Sequence, residues 1–243
     1  MKRKIRIIRK LKYYFFKFGI HKIIPKKILI FLGQLSTLSE WISNKKDLKF
    51  TNFPSKKFIY NRRYDLYRFI IENEISNNEI DYFEFGVSKG DSFSWWVNNI
   101  NHKNSRFYGF DTFTGLPEDW GPFKKGDMSN GNEPPNINDS RCKFYQGIFQ
   151  NTLYEFLISY KLGKRKVVHM DADLYSSTLF VLTTLSPYLR KGDIILFDEF
   201  NVPLHEYKAL KDWAESYYIN YSVLGEVNNF YQIAIKLELE FNS

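Results

Sequence analysis

Two short apolar runs end in pairs of carboxylates. Val167 and Val168 lead into Asp171 and Asp173, and residues 194–197 (Ile-Ile-Leu-Phe) lead into Asp198 and Glu199. Each run has the length and composition of a buried strand, and residues 179–189 between them carry the apolar spacing of a helix. In an open α/β sheet, ligands bind in the crevice beyond the carboxyl ends of the strands, so a strand-helix-strand unit of this kind brings four acids to the place where chemistry is expected. Hard carboxylate oxygens suit a divalent cation such as magnesium. Acids at strand ends also cap the helices that follow them. That explanation is enough for a single Asp, whereas two acid pairs on adjacent strands favour a metal or catalytic site.

A second constellation lies upstream. Residues 81–92 read as a strand, a glycine turn and the start of a helix whose apolar part includes Phe93, Trp95, Trp96 and Val97. Gly86 and Gly90 admit close approach of a ligand to the backbone. The dinucleotide fingerprint needs G-x-G-x-x-G, and here Val87-Ser88-Lys89 separates only two glycines. The next strand, residues 106–110, ends at Asp111, which is placed to accept hydrogen bonds from both hydroxyls of a ribose. A nucleoside-containing cofactor is therefore expected. Residues 113–139, rich in Gly, Pro and Asn, form a long irregular segment of the kind that is either functional or disordered. Trp120 and Phe123 give it something to bury, and it reads as a lid over the cofactor.

The remaining chain supplies the frame. A helix is expected over residues 55–75, a third strand at 143–146, a helix beginning near 147–152, and another over 205–217. Residues 222–227 and 230–237 alternate as strands around Asn228-Asn229, a hairpin turn. Together these give a mostly parallel sheet with an antiparallel strand. At 243 residues and 44% hydrophobic, the chain can bury one α/β domain plus an extension. The single Cys142 permits no internal disulfide, and with only four histidines a zinc site is not expected. No apolar run approaches the roughly 20 residues that span a bilayer, and Lys12 and Lys17 interrupt any signal-peptide core, so a cytoplasmic protein is expected.

Charge divides the chain unevenly. The formal net charge is +8, yet residues 1–60 hold 16 Lys and Arg against Glu40 and Asp47, which leaves the remainder mildly acidic. That body lacks the basic face nucleic acid needs, so no nucleic-acid partner is expected. Residues 1–27 contain eleven Lys and Arg and no acid, interleaved with Ile5, Ile8, Leu11, Phe15 and Phe18. A basic amphipathic helix of this kind either lies on an anionic membrane surface, where it can meet a lipid-linked acceptor, or packs its apolar stripe on the body or on a second subunit. The expected division is an N-terminal helical extension over 1–57 and a catalytic domain over 58–243. Homo-oligomerisation is left open.

Five segments in order, Phe83-Glu-Phe-Gly-Val-Ser-Lys-Gly90, Gly109-Phe-Asp-Thr-Phe-Thr-Gly-Leu-Pro-Glu118, Gly147-Ile-Phe-Gln-Asn-Thr-Leu153, Asp171-Ala-Asp-Leu-Tyr-Ser-Ser-Thr178 and Phe197-Asp-Glu199, resemble the macrocin-type sugar O-methyltransferases. The resemblance covers residues 58–237. It implies a class I methyltransferase fold, Rossmann-like, with a seven-stranded mostly parallel sheet whose last strand is antiparallel. It further implies S-adenosylmethionine as cofactor, with Glu84, Gly86, Gly90 and Ser92 at its methionine end, Asp111 on the ribose, and Thr112 and Phe113 at the adenine edge. Asp171, Asp198 and Glu199 match the family's metal-binding acids, with Asp-Glu here where macrolide-modifying members usually carry Asp-Asp. Magnesium would lower the pKa of an acceptor hydroxyl and fix it beside the methyl sulfonium. Asp171 is the expected general base, with Asp173 the alternative; His169 reads as a core or supporting histidine. The implied reaction is O-methylation of a sugar or glycoconjugate hydroxyl. A phenolic acceptor would suit the same acids, and a nicotinamide-dependent oxidoreductase would explain Gly86, Gly90 and Asp111 but leave the acid pairs idle.

Overall fold

Parallel strands covered on both faces must be apolar at both phases of their two-residue period. The computed structural model, which describes residues 2–45 and 48–238, shows this directly. Strand β1 (Ile80–Phe85) is buried throughout; it sends Phe83 and Phe85 into one apolar cluster and Tyr82 into the other. Beside it run β2 (Arg106–Asp111), β3 (Cys142–Gln146), β4 (Arg165–Met170) and β5 (Ile194–Phe197), all parallel. Strands β6 (Tyr221–Val227) and β7 (Gln232–Leu237) complete a seven-stranded sheet of order β3-β2-β1-β4-β5-β7-β6. The last strand, β7, is antiparallel to both of its neighbours, as expected from the sequence. This is the class I methyltransferase fold. Its strand order reverses between β1 and β4, which opens a crevice at their carboxyl ends.

Helices cover both faces. On one, α5 (Phe149–Ser159), α6 (Tyr175–Leu185) and α7 (Glu206–Tyr217) bring Leu153, Phe156, Val181, Leu182, Leu210 and Trp213 against Phe83, Val168, Ile195 and Phe197. On the other, α3 (Arg63–Ile70) and α4 (Asp91–Asn99) bring Leu66, Tyr67, Ile70, Phe93 and Trp96 against Tyr82, Phe107, Val167 and Leu196.

Two local expectations are corrected. The helix expected from Ser55 begins only with a 3-10 turn at Tyr60–Arg62, continues as α3 and closes in a π turn at Ile71–Ile75. Ahead of it the chain is captured by the hairpin turn. Asn229 accepts from the Ser55 amide and donates to the Ser55 carbonyl, and Asn228 does the same with Ile59. The second correction is that β7 starts at Gln232, not Phe230: Asn228, Asn229 and Phe230 all take positive φ, so the turn is longer than the two asparagines. Phe230 tolerates this because its amide is bound by Glu226 and its ring is buried against Trp41 and Phe53.

The N-terminal region contains α1 (Lys2–Lys17), a 3-10 turn at Ile20–Lys22, and α2 (Lys26–Ser43). Only the second half of α2 meets the body. Leu38, Trp41 and Ile42 pack on the core, and Trp41 Nε1 donates to Tyr221 Oη at 3.0 Å. Met1, Lys46, Asp47 and residues 239–243, which the sequence assigned to the basic head and to the end of the domain, lie outside the described residues. Among the described residues, no helix is long and apolar enough to cross a membrane.

Glu226 ties this region to the sheet. Buried on β6, it accepts from the Thr51 hydroxyl and the amides of Asn52, Phe53 and Phe230. Replacing it strands four donors, so Glu226→Ala is expected to lower the unfolding free energy by about 3 kcal/mol in urea titration. A loss under about 0.5 kcal/mol would show that the segment is held by other contacts.

Candidate active site

The glycine turn after β1 is compressed against the end of β4. Gly86 has φ 95°, and a Cβ there would lie 1.8 Å from the Asp171 carbonyl oxygen. Asp111, at the end of β2, orders the same turn: Oδ2 accepts from the amides of Val87 and Ser88, both at 2.7 Å, and Oδ1 from that of Phe113. Asp111 also lines a cleft with Gly86, Ser88 and Thr112. The far walls are Leu116, Pro117 and Met128 of the loop after β2, Ile148 and Phe149 at the start of α5, and Asp171, Ala172 and Asp173. An acid among apolar walls fits a nucleoside, the acid for its hydroxyls and the walls for its base.

The other expected cofactor residues stand behind this surface. Ser92 Oγ donates to Glu84 Oε1 at 2.7 Å, and both are buried. Phe113 is buried with φ 56°. What approaches Gly90 is the loop itself, since a Cβ there would meet Pro135 at 2.7 Å. Residues 113–139 thus form an ordered wall. Ser176 Oγ donates to Glu118 across the crevice at 2.7 Å, while Trp120 and Phe123 stack at 5.2 Å.

The four acids at the ends of β4 and β5 do converge, and none caps a helix: α6 and α7 have no side-chain cap. Asp171, Asp173 and Glu199 bring ligand atoms within 4.8 Å of one another, and Asp171 and Asp198 form a second such group with His169. The three expected metal ligands, Asp171, Asp198 and Glu199, therefore divide between two groups that share Asp171. A fifth acid joins them. Glu206, fully buried in the first turn of α7, accepts from the Glu199 amide at 3.0 Å through Oε2. Its Oε1 and the Oε2 of Glu199 are buried without a hydrogen-bond partner.

Electrostatics follow from this crowding. Burial, then the nearby Asp198, push Asp171 well above the usual carboxylate range. Burial and neighbouring acids do the same to Glu199 and Glu206. Asp173 is pushed up to about 7 by burial, Asp198 and Asp111. Asp198 moves the other way: burial opposes its ionisation, but His169, Arg63 and Tyr60 outweigh burial and hold it low. Arg63 Nη1 lies 3.3 Å from Asp198 and 3.9 Å from Asp171, and donates to Tyr60 Oη at 2.7 Å.

His169 is the second internal cation. Tyr82 Oη donates to Glu84, so it accepts from His169 Nδ1 at 2.9 Å; Tyr67 Oη donates to Asp198, so it accepts from Nε2 at 3.2 Å. With the carboxylates of Glu84 and Asp198 at 3.4 and 3.9 Å from Nδ1 and Nε2, the charged form of the ring is favoured. Burial pulls its pKa down, but Asp198 and Glu84 raise it to about 10.

Arg63, Tyr60, Tyr67 and Glu206 were not singled out from the sequence, although a signal existed for each. Tyr60, Arg63, Tyr64 and Tyr67 share an i, i+3, i+4, i+7 face, and Glu206 shares one with the buried Ala209, Leu210 and Trp213. An acid on the buried face of a helix needs a compensating charge.

The profile of a methyltransferase domain family matches residues 83–200. The chain is similar in structure to CalS11, a calicheamicin methyltransferase, at 18% identity over 88% of this chain and 93% of that one, TM-score 0.54. It is also similar to the O-methyltransferase NovP, at 15% identity over 87% and 99%, TM-score 0.56. No curated protein matches the sequence significantly. At these identities the structural likeness shows the fold. The fold and the domain match together define the chain as an S-adenosylmethionine-dependent methyltransferase, which sets aside the nicotinamide reading.

Asp111→Ala removes the acid from the cleft and frees the amides of Val87, Ser88 and Phe113. Calorimetry should show S-adenosylmethionine binding weakened by about ten- to a hundredfold. Unchanged affinity would remove Asp111 from the cofactor site.

Proposed function

We propose that this chain O-methylates a hydroxyl of a sugar or glycoconjugate, with a divalent cation, magnesium by preference, held among the acids that follow β4 and β5. One observation carries the reading. Five carboxyl groups converge beside the cofactor cleft, and buried oxygens of Glu199 and Glu206 lack a partner, in an all-oxygen donor set that suits a hard cation. The likeness of five ordered segments to macrocin-type sugar O-methyltransferases supports the acceptor class. So does the similarity to CalS11, described in its apo form as a TDP-rhamnose 3'-O-methyltransferase and matched at 18% identity over 88% of this chain and 95% of that one, TM-score 0.50.

Asp171, Asp173, Asp198 and Glu199 would hold the cation, with Glu206 orienting Glu199 through its backbone amide. When bound, the cation supplies a lowered pKa to the acceptor hydroxyl, and S-adenosylmethionine supplies a methyl group on a positively charged sulfur. Asp171 takes the hydroxyl proton as the oxygen bonds to the methyl carbon and the carbon–sulfur bond breaks. Methyl ether, S-adenosylhomocysteine and one proton are the products. Arg63 and His169 stay charged and keep Asp198 ionised throughout. The loop bearing Leu116, Pro117 and Met128 supplies an apolar wall of the cleft.

Asp171→Asn and Asp198→Asn should each abolish methylation while S-adenosylmethionine still binds within about threefold of wild type; the threefold bound is about 0.7 kcal/mol. Full turnover in excess chelator would refute the metal-assisted reaction.

Magnesium binding itself is pH-dependent in a defined direction. Because Asp171, Asp173, Glu199 and Glu206 have raised pKa values in the metal-free fold, they keep protons at low pH that a cation must displace. Affinity by calorimetry should therefore rise between about pH 6 and 8, with proton release visible as a dependence on buffer ionisation enthalpy. A flat profile without proton release would place the cation elsewhere.

A further inference from the structure

Methyl transfer leaves the N-terminal helices without a use. In α1, Ile7, Ile8, Leu11, Tyr14 and Phe15 share one side at the helical period, continued by Phe18, and Arg3, Arg6, Arg9, Lys10 and Lys17 share the other. Among the described residues, nothing in the body covers either side: Leu11 is 64% exposed and Phe18 67%. The first half of α2 is also bare. Ile28, Leu29, Ile30, Phe31 and Leu32 point in every direction around the helix and all are exposed, behind Lys26 and Lys27. Such a helical turn dissolved in water has no stabilising partner for its side chains.

We propose that α1 and the first half of α2 lie in the interfacial layer of an anionic lipid bilayer, apolar side chains toward the acyl region and cations toward the headgroups. Three observations select lipid as the occupant. The first acid in the chain is Glu40, so the whole of this surface is complementary to negative charge. The apolar side chains of α2 point all round the helix, which suits a fluid medium that surrounds it and not a flat protein face. No described helix can cross a bilayer, so residence in the interface is the geometry open to this pair. From Leu38 onward α2 is docked on the core, which places the body against the same surface.

Sedimentation of the full-length protein with vesicles tests this. Phosphatidylcholine vesicles containing phosphatidylglycerol should bring the protein down, and phosphatidylcholine alone should not. Binding should fall at least about tenfold as salt rises from 0.05 to about 0.5 M, because the cations become screened. Each cation near an anionic surface is worth about fivefold, so Arg6→Glu/Arg9→Glu/Lys10→Glu should lose more than about a hundredfold. Leu11→Ser/Phe15→Ser should lose about tenfold or more. All of these side chains are outside the cleft, so both variants should keep wild-type melting temperature and S-adenosylmethionine affinity. Pelleting that is absent, or equal for both lipids, overturns the proposal. So does a concentration-dependent dimer, abolished by Leu11→Ser/Phe15→Ser in a protein without lipid affinity, which would assign the surface to a second copy of the chain.

Discussion

Mutual repulsion among five crowded carboxyl groups, of which Asp198, Glu199 and Glu206 are buried, is the constraint that much of the polar architecture answers. In a medium less polarisable than water, acids this close cannot all ionise without cations among them. The chain supplies two. Arg63 comes from a helix that precedes the sheet in sequence, and His169 from β4 itself, its charged form favoured by Asp198 and Glu84. Both favour Asp198, so ionisation is concentrated on one acid while Asp171, Asp173, Glu199 and Glu206 retain protons or await a further cation. Removing either internal cation would redistribute charge over the whole cluster.

What the sequence discloses and what it hides follow a physical division. The mostly parallel sheet with an antiparallel strand and the convergence of Asp171, Asp173, Asp198 and Glu199 are legible because they depend on apolar periodicity and on acids at strand ends, both local patterns. The Asp111 turn was legible as a position but not as a set of contacts: that its carboxylate spends three hydrogen bonds on backbone amides depends on the path of the turn. The late start of the helix before β1 was hidden because two asparagines over 160 residues away in sequence capture residues 55–59. Glu206 was hidden for a simpler reason: an acid in a helix reads as solvated until its neighbours at i+3, i+4 and i+7 are seen to be core.

Aromatic residues take over work that aliphatic side chains do in most α/β sheets. Tyr82 packs on Trp96 at 5.0 Å and also carries the hydroxyl that joins His169 to Glu84. Tyr67 likewise packs against Trp96 and bridges His169 to Asp198. A ring with a polar tip lets an apolar layer continue up to a charged one without a gap. That is why the ion cluster can sit directly on the core.

The contact of Gly86 with the Asp171 carbonyl has a mechanical meaning. Two strand ends that meet backbone to backbone leave no side chain whose rotation could alter their spacing. The turn proposed to face the methyl donor and the strand end that carries the proposed base therefore belong to a single stiff jaw. Tuning of the surrounding side chains would change how tightly each partner is gripped, while the span between the two grips stays fixed by the main chain.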